Sequence, residues 1–169
     1  MDVHPIVVHF PIALLTLYAC MECLRFERLQ SLVAWFYIKL FLVLVGVGGS
    51  WFAFATGNYI AEKLGKTPLI ETHAFFAVIT VVIFTAIGAM YIIEWAERDQ
   101  LLHIRSGSFS QKVWFALLHV FHIYNISTIR VVCALAGLVA LTITGGLGGA
   151  IVYGSDIDPM VKIIHSLFF

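Results

Sequence analysis

The chain has 169 residues, 61% of them hydrophobic and 12% charged, with a formal net charge of zero and a mean hydropathy of +0.97. Soluble domains carry about half apolar and about a quarter charged residues, and a chain this short cannot bury so much apolar surface in a core of its own. Lipid is therefore expected to cover it, and the balanced charge, with no basic stripe, argues against nucleic acid as a partner.

A membrane-crossing helix needs about 20 mainly apolar residues. Four runs meet that requirement: residues 5–24, 31–56 with Lys39 inside, 68–95 and 131–153. The first lacks the positive n-region and small-residue cleavage site of a signal peptide, so it reads as a retained helix. Residues 110–125 carry His119 and His122 and are predicted to form an interfacial amphipathic helix. Residues 159–167 look similar, with Lys162 and His165 interrupting the apolar pattern. The expected fold is an all-α integral membrane protein: one domain over 1–169, a four-transmembrane-helix bundle with both termini on one side.

That side, A, holds Lys63, Lys66 and Lys162. The opposite side, B, holds Arg25, Arg28, Arg98, Arg105, Lys112 and Arg130, with Lys39 near enough to snorkel there. The positive-inside rule makes side B cytoplasmic and places the termini outside. The expected location is the bacterial inner (cytoplasmic) membrane, with periplasmic termini.

Two histidines enter the membrane from side A. His9 lies four residues beyond Pro5 and His73 five beyond Pro68. Proline suits the first helical turn, so both imidazoles are expected roughly 6–8 Å inside helices 1 and 3. Two neutral imidazoles at one depth on two helices are what a haem b held within a bundle requires. A single metal ion, with Glu71 as third ligand, would use the same residues, and a quinone or a chlorophyll-type pigment could contact them. Histidines near helix starts also simply hydrogen-bond at the interface, but polar side chains are otherwise scarce in these helices. His4 and His165 join this side by topology.

On side B, His119 and His122 are spaced i, i+3 and share a helical face; a second metal or haem ligand is the minor reading, an interfacial role the major one. Gly46, Gly48 and Gly49 on helix 2, and Gly145, Gly146, Gly148 and Gly149 on helix 4, lie toward side A. Gly145 and Gly149 form a small-xxx-small pair, which favours ordinary helix packing. Cys20 and Cys23 form a CxxC inside a membrane helix, a weak redox signal best explained as small packing residues; with Cys133 they make too few cysteines for a disulfide scaffold. Glu22 and Lys39 are expected to pair or snorkel near side B. Trp35, Trp51 and Trp95 fall near helix ends, as an aromatic belt does. No nucleophile–base–acid constellation points to hydrolysis or group transfer, so no independent catalytic activity is expected.

The opening His4-Pro5-Ile6-Val7-Val8-His9-Phe10-Pro11-Ile12-Ala13-Leu14 resembles the start of a bacterial membrane family known as domain of unknown function 2231, whose members open with HPxxVHFPIxL. Thr56-Gly57, His73 and the segment Gly148-Gly149-Ala150-Ile151-Val152-Tyr153 resemble further family features, so the likeness covers nearly the whole chain. The segment 98–129 is not part of that pattern. Some relatives are fused to cytochrome c or Rieske-type domains, which implies electron-transfer company. The expectation is a small, b-type-cytochrome-like subunit among other membrane subunits and lipid. His9 and His73 would bind haem near the periplasmic face, passing electrons toward a periplasmic cytochrome c. The alternative is a structural or assembly subunit of a respiratory or photosynthetic complex, with no cofactor of its own.

Overall fold

The computed structural model describes residues 4–99, 113 and 126–169, with side chains 4–6, 64, 126 and 127 excepted. The interfacial helix expected over 110–125, with His119 and His122, lies outside the described residues, as does the His4 side chain.

The described chain is helical throughout, in the order α1 (His4–Cys23), α2 (Glu27–Gln30), α3 (Val33–Leu64), α4 (Pro68–Arg98), α5 (Ile126–Tyr153) and α6 (Pro159–Ser166). Among the described residues three helices are long and apolar enough to cross a membrane, within Val33–Lys63, Pro68–Arg98 and Thr128–Tyr153, and a shorter apolar stretch runs over Val7–Cys23.

The helix ends follow from local chemistry. Helix α3 continues well past the expected end at residue 56, because Gly57 and Asn58 weaken a helix without breaking it. It stops where Gly65 adopts a φ of 83° and donates its N–H to the Ala61 carbonyl. Thr67 caps α4 by accepting from the Ile70 N–H, and Pro68 occupies the first turn. A left-handed Gly154 (φ 92°) lets the chain leave α5. Asp158 then caps α6, accepting from the N–H groups of Met160 and Val161. The four-residue α2, between Phe26 and Ser31, was not expected from the sequence.

The four long helices pack in a ring: α1 on α3, α3 on α4, α4 on α5, and α5 back on α1. Leu15, Tyr18, Val43, Phe84, Ile87 and Tyr91 are fully shielded and form its centre. Tyr18 meets Phe84 and Tyr91 edge-on at 6.3 and 5.7 Å between centroids, so α1 and α4 touch across the diagonal.

Glycines allow the closest approaches. A Cβ at Gly46 would lie 2.6 Å from Leu15 Cδ2, and one at Gly137 would lie 2.9 Å from the Phe84 ring. Two of the glycines late in α5 serve the short helix α6. Gly146 and Gly149 receive Ile164 and Val161 of α6, whereas a Cβ on Gly145 would meet nothing within 4 Å. Thus α6 docks by its apolar face on the α5 glycines, with Lys162 exposed and His165 half-buried beside that face.

Candidate functional site

The side-A histidines are held differently from one another. His73 sits in the second turn of α4, half-buried, and its Nδ1–H donates to the Thr144 carbonyl of α5 at 3.0 Å. A carbonyl can only accept, so Nδ1 carries a proton, and in the neutral ring it is then Nε2 that carries the lone pair. A Cβ at Gly148 would lie 3.2 Å from His73 Cε1, so the ring edge rests directly on α5 backbone. Seven residues deeper, the Thr80 and Thr144 hydroxyls lie 3.3 Å apart, each also donating to the carbonyl four residues back.

His9 is exposed on α1, and it does not share the depth of His73. Helices α1 and α4 run in the same direction. Glu22 meets Tyr91, and Tyr18 lies between Phe84 and Tyr91. Positions at equal depth therefore differ by about 70 in number, which puts His9 level with the Val78–Thr80 stretch, roughly 8 Å deeper than His73 at 1.5 Å per residue. The expectation of equal depth assumed that both helices begin at one membrane plane. Helix α4 begins farther out because the α3–α4 hairpin projects beyond the start of α1. Glu71 is exposed in the first turn of α4, and His165 packs its ring against Phe169 at 5.2 Å on α6. Among the described residues no group of three or more His, Cys, Asp or Glu is arranged to hold a metal ion. Cys20 and Cys23 are free and exposed, which corrects their expected role as packing residues.

Side B holds a constellation that sequence reading reached only in part. The expected Glu22–Lys39 pair forms, with Lys39 Nζ donating to Glu22 Oε2 at 2.8 Å. Tyr91 donates its hydroxyl to the same oxygen at 2.6 Å. From α5, Arg130 places Nε 3.6 Å from Glu22 Oε1, donates from Nη1 to Glu94, and stacks its guanidinium 4.7 Å above the Tyr91 ring. Glu94 also accepts from Arg98 Nε and Nη2 at 2.9 and 2.7 Å. Glu22, Lys39 and Arg130 are almost fully shielded, with side-chain exposures of 3%, 11% and 11%. One connected network therefore ties together all four long helices. Beside it, Asp99 accepts from the Tyr37 hydroxyl at 2.6 Å and the Trp95 indole at 2.7 Å.

A cleft opens next to this network. Trp35, Phe36, Lys39, Glu94, Arg98 and Arg130 wall it, and residues 30–33 form its rim. Among the described residues, Trp35 Nε1 and Arg130 Nε are buried with no hydrogen-bond partner. The signal for this site was present in the sequence: Glu94 and Arg98 stand i, i+4 at the end of one long run, and Arg130 stands at the start of the next. Arg130 reads as lying outside the fourth span. In the structure α5 starts earlier, and the guanidinium is turned inward between two carboxylates. Trp51, expected near a helix end, lies mid-helix because α3 is longer than expected, and donates to Thr85 Oγ1 at 3.1 Å.

A family model described as "Predicted membrane protein (DUF2231)" matches residues 1–158, that is α1 through α5 and the cap of α6. No curated protein and no solved structure gives a significant match to the chain.

Proposed function

We infer a role from one premise: this chain belongs to the DUF2231 family of membrane proteins. We propose that it crosses the bacterial cytoplasmic membrane four times as a single bundle, with both termini on the periplasmic side. In this reading it is a small b-type-cytochrome-like subunit of a redox assembly. The 20 residues of α1 would reach about 30 Å, the thickness of a bilayer core, which supports counting α1 as the fourth span.

The observation that carries the redox reading is the His73 Nδ1–H bond to the Thr144 carbonyl. Metal-bound histidines characteristically give their second ring nitrogen to such a carbonyl, which fixes ring and tautomer. His73 would thus present Nε2 as one axial ligand to the iron of a haem b, whose bound iron would supply one-electron chemistry. A chlorophyll-type pigment would use the same nitrogen for its metal. A quinone carbonyl fits less well, since it and a deprotonated Nε2 are both acceptors. Because His9 lies deeper and is exposed, the second ligand is not assigned to it. The test is a reduced-minus-oxidised spectrum of the purified full chain, with pigment extraction alongside. A b-haem α-band supports the reading, and the absence of any tetrapyrrole overturns it.

A second reading is favoured by the packing of His73 on Gly148: the imidazole serves as a helix spacer, and the chain is a structural or assembly subunit. Deleting the chain from its source membranes discriminates. Loss of a partner assembly, with every cofactor retained by the remaining subunits, selects the structural role.

A further inference from the structure

We propose that the side-B cleft binds a phosphate anion, presented by an acidic phospholipid headgroup or arriving as free phosphate. Three cations, Lys39, Arg98 and Arg130, face the cleft, with Glu94 as the carboxylate among its walls. Counting Glu22 behind them, three positive groups meet two negative ones. Asp99 lies outside the walls, where it accepts from Tyr37 and Trp95.

Donors remain after the internal pairs are made. Lys39 has three N–H groups and its ammonium spends one on Glu22. Arg98 binds Glu94 through Nε and Nη2 and leaves Nη1, on a side chain that is 51% exposed. The Trp35 indole N–H is buried beside the cleft without a hydrogen-bond partner among the described residues, a state that costs free energy unless something accepts from it, whereas Arg130 Nε faces Glu22 Oε1 at 3.6 Å. Leu32 at the rim caps α3 with no side-chain acceptor, so the positive end of a 32-residue helix dipole adds to the field.

Depth points to a membrane-derived source. Lys39 lies six residues inside α3, roughly 9 Å, and Arg98 and Arg130 lie at helix ends, so the cations span the headgroup level. Basic pockets between transmembrane helices recognise lipid phosphates in this way. Arginine forks match phosphate oxygens in pairs.

The full chain in zwitterionic-lipid nanodiscs provides the test. Thermal unfolding would be measured with phosphatidylglycerol replacing part of the phosphatidylcholine and, separately, with added inorganic phosphate. Phosphatidylglycerol is expected to raise the melting temperature of the wild type. Arg98→Gln and Trp35→Phe should weaken the apparent lipid affinity at least ~5-fold, the scale of one lost charged hydrogen bond. Arg28→Gln, on the exposed turn before the cleft, should not change it. If inorganic phosphate alone shifts the wild type and Arg98→Gln abolishes that shift, the cleft is an anion site supplied from solution. Equal melting temperatures under all three conditions would overturn the proposal. So would equal losses in Arg98→Gln and Arg28→Gln, which would mean diffuse surface attraction.

Discussion

Glu22 shows how one carboxylate comes to organise a membrane bundle. Its two oxygens meet a lysine, a tyrosine and an arginine from three different helices. Desolvating a charge is costly, and it is tolerated only where partners surround it. Removing one member of a buried pair leaves the others uncompensated, at a cost of about 3–5 kcal/mol. Glu22→Gln is therefore expected to lower the unfolding free energy in mixed micelles by that order, and a loss under ~1 kcal/mol would show the network to be ornamental. The Glu22–Lys39 partnership was legible in the sequence because both charges stand inside apolar runs. Tyr91 was not, because a tyrosine in a membrane helix is unremarkable until its hydroxyl is seen to point at a carboxylate. For His73 the sequence marked the residue and its side of the membrane. It did not mark the Thr144 carbonyl, since backbone acceptors carry no residue signature.

Between elements, the distances of closest approach decide which glycines matter. Gly46 stands against Leu15, while a Cβ at Gly48 would meet nothing within 4 Å. Gly46→Ala is thus expected to destabilise by about 1–3 kcal/mol, the usual range for an overpacked core. Gly48→Ala should stay within ~0.5 kcal/mol of wild type. Unfolding both variants in the same micelle checks the contrast, and equal effects would mean that the α1–α3 contact is looser than described. At the other end, Asp158→Ala removes the acceptor for two N–H groups at the start of α6, a loss of about 1 kcal/mol. Faster proteolysis after Gly154 would report it. Hydropathy located the long helices well, but ends were less legible. The stop at Gly65 and the inward turn of Arg130 depend on backbone conformation and on a partner from another helix. The Gly145–Gly149 pair of α5 was read as ordinary helix packing; Gly149 does sit under α6, together with Gly146, while Gly145 has no neighbour within 4 Å, and the contact with α6 depends on the turn at Gly154.

At the scale of the whole molecule, the ring of four helices sets two distinct ends against each other: His73 of α4 bonded to α5 at side A, and the ion network at side B. The proposed topology places Lys66 and Asp156 outside and Arg28 inside. In a cysteine-free background, Lys66→Cys and Asp156→Cys should react with an impermeant thiol reagent in intact cells, and Arg28→Cys only after lysis; the reverse pattern would invert the orientation. Membership of the DUF2231 family was readable in the sequence, and the family model covers residues 1–158. The relative depth of His9 and His73 was not readable, because each helix start can be seen in sequence but the offset between two helices is set by packing. That offset bears on the central functional claim, that His73 is the cofactor ligand on a carbonyl-fixed tautomer and His9 is not its partner. Haem content per chain, measured on purified wild type, His73→Ala and His9→Ala, tests this most directly. The account predicts bound haem in the wild type, loss in His73→Ala and retention in His9→Ala, whereas retention in His73→Ala, or equal loss in both variants, would contradict it.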